Sequence, residues 1–214
     1  MDEEPEPKYS QAEAIPVMEA EVTAIIEQLP DFPGFAARSW VETPCFKDGA
    51  YTEDRVGMEI DYRFSGDSAA DPLIRETYVD VLRDFWTEQG YEITMDEASA
   101  TGKFYDLEAR REDGVKLWYV VATGVALKVQ SGCVPASDHS EIQYLPPSGG
   151  VVPGSPEDTM NDLKDEIQGY PEEPQEEAVS PFEESESPSA NGMAPWSREP
   201  GPIDSGPTSY DGQL

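Results

Sequence analysis

Apolar and polar residues alternate strictly in several stretches of this chain, and each stretch predicts a strand with one buried face. Val56, Met58, Ile60, Tyr62 and Phe64 alternate with Gly57, Glu59, Asp61 and Arg63, a period of two. The same alternation returns in Tyr91, Ile93 and Met95, in Tyr105, Leu107 and Ala109, in Val115, Leu117, Tyr119 and Val121, and in Val125, Leu127 and Val129. Two stretches follow the helical period instead. Met18, Val22, Ile25, Ile26 and Leu29 share one face of a helix expected to begin near Glu13, with Pro16 in its first turn and Pro30 beyond its end. Ile74, Tyr78, Val81, Leu82 and Phe85 form the stripe of a second helix, with Asp71 as N-cap, Pro72 behind it and Gly90 as the stop. Between the first helix and the first alternating run, the segment from Asp31 to Ala50 predicts a connection with at most a short strand over Ser39 to Glu42. The strand at Val56, the second helix and the strand at Tyr91 are compatible with a right-handed parallel crossover.

Register arithmetic makes the last three strands more specific. A two-residue turn at Asp113-Gly114 opposes inward Ala109 to outward Trp118. The three-residue turn Glu112-Asp113-Gly114 opposes Leu107 to Tyr119 and Ala109 to Leu117, so inward residues meet. The turn Ala122-Thr123-Gly124 does the same for Val121 with Val125 and Tyr119 with Leu127. Both turns place glycine third, where a left-handed residue is expected. Trp118 then lies on the outer face between Glu108 and Lys128, and Val120 between Asp106 and Ala126. An outward Trp is a candidate contact site; cover by another element, or packing on the Lys128 stem, is the alternative.

Past about Pro146 the alternation gives way to Pro, Gly, Ser and Glu, which predicts a disordered tail. Within it, Ser155 and Pro156 resemble a helix start, and Met160, Leu163 and Ile167 fall on one helical face, a candidate segment that folds on a partner. The expected organisation is a mobile acidic N-terminus over residues 1–12, an α+β domain over 13–145 and an acidic tail over 146–214. The expected architecture is two-layer, with two helices packed on a mainly antiparallel sheet of about five strands.

Charge narrows the function classes. The 214 residues carry 45 Asp and Glu against 14 Lys and Arg, a formal charge of −31. Residues 1–150 hold 30 acidic and 12 basic side chains and residues 151–214 hold 15 and 2, so both parts repel phosphate backbones and anionic lipids. No nucleic-acid partner is expected; a protein partner, basic in character, suits the field. No apolar run is long enough for a membrane span. The opening Met-Asp-Glu-Glu-Pro-Glu-Pro lacks the basic and apolar regions of an export signal.

Candidate chemistry is sparse. His139 sits in the polar Ala136-Ser137-Asp138-His139-Ser140 with no nucleophile elbow to serve, and is expected to be a solvated surface residue. Neither the Cys and His numbers of a zinc site nor a phosphate-cradling Gly loop occurs, so no catalytic residue, metal ligand or cofactor is assigned. Cys45 and Cys133 flank the predicted core in Thr-Pro-Cys-Phe and Ser-Gly-Cys-Val-Pro. They are expected to form a disulfide, two buried thiols being the alternative. A bond implies an oxidising compartment and an export signal already removed.

The order helix, Cys-bearing loop, strand, helix ending in Gln89-Gly90-Tyr91, then a meander closing on Ser131-Gly132-Cys133-Val134-Pro135, resembles the small lipoprotein-type domains of actinobacterial secreted proteins. The resemblance covers roughly Glu13 to Pro135 and implies an extracytoplasmic α+β module with no established catalytic residues. A lipid-attachment cysteine near the start, which such proteins carry, is missing here. The leading expectation is an extracytoplasmic, non-catalytic binding or protein-interaction module with contacts at Trp118, Val120 and Lys128 and at Met160, Leu163 and Ile167. An intracellular acidic regulator and a carboxylate-based enzyme are the alternatives.

Overall fold

A computed structural model describes residues 7–47 and 49–171. Helix α1 (Gln11–Ile26) starts two residues before Glu13, because Ser10 and Glu13 form a reciprocal capping box. Strands β1 (Ala37–Lys47) and β2 (Ala50–Arg63) form a long hairpin. A π-helical turn over Leu73–Thr77 leads into α2 (Tyr78–Glu88), and the Leu73 amide donates to Asp71 Oδ1 at 2.9 Å. Then come β3 (Glu92–Ala98), β4 (Tyr105–Arg110), β5 (Lys116–Val121), β6 (Val125–Pro135) and the two-residue β7 (Asp158–Thr159).

The strands make one seven-stranded mixed sheet in the order β3-β4-β5-β6-β2-β1-β7, antiparallel except for the β1–β7 pair. This corrects the expected sheet of about five strands. The two extra strands lie together at one edge, and both have a physical reason for escaping a pattern search. The inward positions of β1 include Arg38 beside Trp40, so the apolar alternation is broken by a buried, paired charge. β7 is short and follows a stretch rich in Gly and Pro. The strands β2 and β3 are separated by three others, so no parallel crossover links them.

Both helices lie on the Tyr62 and Tyr119 side of the sheet. There Tyr62 donates to Glu19 of α1 at 2.7 Å, and Tyr119 donates to the Ile74 carbonyl at 2.7 Å. Met18, Val22, Ile25, Ile60, Leu107, Leu117, Leu127 and Trp86 are buried in one cluster, each worth about 1.5–3 kcal/mol of transfer free energy before entropy is charged. On α2 the buried residues are Tyr78, Val79, Leu82 and Trp86, while Val81 and Phe85 are only half-buried.

The β4–β5–β6 register is as the sequence arithmetic requires, with Leu107 opposite Tyr119, Ala109 opposite Leu117, Val121 opposite Val125 and Tyr119 opposite Leu127. Gly114 takes φ +90°, as its turn demands; Gly124 does not take positive φ, and its turn reaches the same register through an Ala122 amide bond to the Gly124 carbonyl. In β3 a register shift between Ile93 and Met95 changes the phase. Met95 is therefore on the outer face, 40% exposed, and not in the core.

Residues 146–171, assigned by the sequence to the disordered tail, pack on the domain. Val151, Met160, Leu163 and Ile167 are buried in the main cluster, and Asn161–Asp165 is a 3-10 turn where an amphipathic α-helix was expected. The backbone of this segment is satisfied by long-range bonds, such as Phe35 N to the Gly149 carbonyl (2.7 Å) and Gln168 N to the Ile142 carbonyl (2.8 Å). A Cβ on Gly149 would meet the Phe35 ring at 2.6 Å, so the close approach depends on glycine there. Residues 172–214 of the expected tail and 1–6 of the expected mobile N-terminus lie outside the described residues.

Candidate functional site

The outer face of the sheet carries the sequence-predicted contacts Trp118, Val120 and Lys128. Paired positions place Met95, Glu108, Trp118, Lys128, Asp61 and Ser39 in one row across six strands. No described helix stacks on this face, and Trp118 and Val120 are half-buried among their neighbours. Trp118 is flanked by Lys116, whose Nζ is 6.0 Å from the ring centroid. Lys128 Nζ lies 2.8 Å from Glu59 Oε1 and 3.6 Å from Asp61 Oδ2. Burial pulls this ammonium down, but the two carboxylates outweigh it and hold its pKa above the ordinary value.

Asp61 is the unusual member of the row. It is 3% exposed, and its Oδ2 is held by Arg63 at 2.8 Å, yet its Oδ1 has no hydrogen-bond donor among the described residues. A buried carboxylate oxygen without a donor carries a desolvation cost. Asp61 and Met95 were missed as site residues from sequence. Parity alone put Asp61 on the outer face; only the β3 bulge puts Met95 there.

The other three predicted contacts are elsewhere. Met160, Leu163 and Ile167 are 1%, 5% and 8% exposed, so none is available to a partner.

His139 is half-exposed and bridges two elements, with Nε2 3.0 Å from Glu42 Oε1 on β1 and Nδ1 bonded to Glu166 in the C-terminal segment. The Glu166 bond raises the imidazole pKa most, burial opposes it, and Glu42 raises it further. A group whose pKa is raised on folding contributes stability fully below its unfolded value, about 6.5, and loses it as pH rises through the higher folded value. The stability difference between wild type and His139→Gln is therefore expected to be largest near pH 6 and to shrink toward pH 9. Urea titrations across that range measure it, and a difference independent of pH removes His139 as a clasp.

The densest buried polar network lies at the other end of the sheet edge. Arg38 Nη1 donates to Glu19 Oε1 (2.7 Å) and to the Leu145 carbonyl (2.7 Å), and its Nε donates to Asp158 Oδ1 at 2.8 Å. Tyr144 donates to Asp158 Oδ2 at 2.6 Å, and Trp40 and Tyr62 donate to Glu19. Burial raises the Glu19 carboxyl against the pull of Arg38, Tyr62 and Trp40. The Arg38 guanidinium, which burial alone would lower, is held above its ordinary value by Glu19, Tyr62 and Asp158. With both Arg38 and Asp158 1% exposed, this is a sealed strut between α1, β1 and the C-terminal segment, closed to any ligand.

Cys45 and Cys133 are joined as a disulfide, with Cα atoms 5.9 Å apart. It links β1 to β6 across the intervening β2. Among the described residues, no three His, Cys, Asp or Glu side chains group so as to hold a metal ion, and no helix is long and apolar enough to cross a membrane.

No family model matches the chain, and no curated protein does. A crystal structure of a DUF4853 family protein from Actinomyces odontolyticus is similar at a TM-score of 0.36 and 10% sequence identity, over 78% of this chain and 87% of that one.

Proposed function

We propose that the protein is an extracytoplasmic binding module that docks a basic protein on the outer face of its sheet. The observation that carries this reading is the row Met95-Glu108-Trp118-Lys128 on a sheet face that no described helix covers, in which a half-buried Trp lies between the Glu108 carboxylate and the Lys128 ammonium. Trp is among the residue types enriched at interface hot spots, and Glu108 beside it offers a carboxylate to a cationic partner. The formal charge of −31 steers cationic surfaces toward the domain. The Cys45–Cys133 pair supports an oxidising compartment.

Trp118→Ala is expected to weaken the partner complex by about 30-fold or more, the scale of a hot-spot residue, with unchanged thermal stability. Quantitative pull-down with both proteins as bait, repeated at two salt concentrations, measures this. A partner retained equally by Trp118→Ala, or one whose binding ignores salt, removes the sheet face. Two free thiols in the denatured, unreduced native protein would remove the extracytoplasmic assignment.

A further inference from the structure

The distal half of the β1–β2 hairpin presents the two most exposed aromatic side chains among the described residues. Phe46 is 63% exposed and Tyr51 59%, and their rings meet edge to face with centroids 6.2 Å apart. Exposed aromatic pairs are uncommon on a surface without a use for them. The strand carrying Phe46 is anchored next to it, since Cys45 is tied to β6 by the disulfide.

Beneath Tyr51 opens a cleft of about 370 Å³ lined by Gln11, Glu42, Tyr51, Glu53, Arg55 and His139, among others, within the size range of small-ligand sites. Its shape comes from a local irregularity. β1 pairs Pro44 with Val56 and then Cys45 with Thr52, so Glu53, Asp54 and Arg55 of β2 have no partner on β1, while Arg55 still pairs with Pro135 of β6. The floor is fixed by the Ser137 amide donating to Gln11 Oε1 (3.1 Å), the Ala12 amide donating to Ser137 Oγ (3.2 Å) and Gln11 donating to Glu42. Glu53 and Arg55 make no ion pair with another described side chain.

The ligand class follows from the mixture. An anion would meet Glu42 and Glu53, and a cation would meet Arg55 and the His139 imidazole. An apolar molecule would strip water from all of them and return no hydrogen bond. A neutral polyhydroxylated ring satisfies every group: each hydroxyl both donates and accepts, so carboxylates and guanidinium are served together, and the C–H face of the ring packs on an aromatic side chain. We propose that this cleft is a carbohydrate site, in which Tyr51 carries a neutral sugar ring, Glu42 and Glu53 accept from its hydroxyls and Arg55 donates to them. The site is separate from the outer sheet face and does not depend on it.

Calorimetric titration of the full chain with cellohexaose, maltohexaose and chitohexaose tests this, with spermine and a heparin oligosaccharide as charged comparators. At least one neutral oligosaccharide is expected to bind. Tyr51→Ala and Arg55→Ala are each expected to weaken it by about tenfold, the scale of one stacking contact or one hydrogen bond to a charged group, while Trp118→Ala leaves it unchanged. Both substitutions are at exposed positions, and matching thermal unfolding curves confirm that the fold is kept. No heat from any of the three sugars, binding that survives Tyr51→Ala, or binding of spermine or heparin in their place each overturns the proposal.

Discussion

Arg38→Leu is expected to cost about 3–5 kcal/mol of folding stability, the scale for removing one partner of a buried ion pair. The side chain is fully buried between two carboxylates, Glu19 and Asp158. Leucine fills part of the space but leaves both charges without their cation and the Leu145 carbonyl without its donor. The loss has a pH signature. Burial already holds the Glu19 carboxyl above its ordinary value against the pull of Arg38, so with the guanidinium gone the deficit is largest at neutral pH and shrinks as pH falls toward the ordinary glutamate value of about 4. It also has a location, because Arg38 ties β1 to the segment containing Tyr144, Leu145 and Asp158. Amide exchange in β7 and over residues 144–151 should accelerate before that of β4 to β6. A urea titration giving a loss under about 1 kcal/mol, far below the buried-pair scale, would mean that the strut is replaceable by packing alone.

The same strut explains what could and could not be seen in the sequence. Strands β4 to β6 were legible because their inward positions from Tyr105 to Val129 are apolar and two short turns leave one workable register; Trp118 followed from that register directly. β1 (Ala37–Lys47) was legible at most as a short strand over Ser39 to Glu42, because inward Arg38 pairs with residues 19 positions before it and 120 after it, and no local pattern records such partners. The buried part of 146–171 was hidden for a related reason. Met160, Leu163 and Ile167 do fall on one helical face in the sequence, but the segment forms a 3-10 turn and buries these residues with Val151 in the main cluster, a long-range contact that no local period records. Met95 was placed on the wrong face because a one-residue bulge inverts parity without altering composition. The cleft under Tyr51 arises from the three unmatched residues Glu53 to Arg55, again a register feature without a compositional mark. Strict alternation and turn chemistry thus revealed the sheet's centre, while its edge and its concavity depend on long-range pairing.

Loss of the Cys45–Cys133 bond is expected to be the other large effect. The bond closes a loop of 88 residues, and the chain-entropy account gives about 4–5 kcal/mol for a loop of that size. For a domain this large that corresponds to a fall in Tm on the order of 10 °C. The local consequence is more specific than the global one. β2 shifts register against β1 at Pro44/Cys45 and against β6 at Gly57/Glu59, so its hydrogen-bonded ladders are interrupted on both sides where the disulfide crosses. The distal hairpin, Cys45 to Thr52, then depends on the bond for its attachment to the sheet. In a Cys45→Ala/Cys133→Ala variant, amide exchange should rise first in residues 45–56, and an isolated two-stranded hairpin is only marginally stable in water. Oligosaccharide binding in the cleft should weaken in the same variant while partner binding at Trp118 persists, because the β4–β5–β6 ladders hold Trp118 in place without the bond. Equal losses at both surfaces would show instead that the disulfide acts on the whole domain, through the unfolded chain and not through the hairpin.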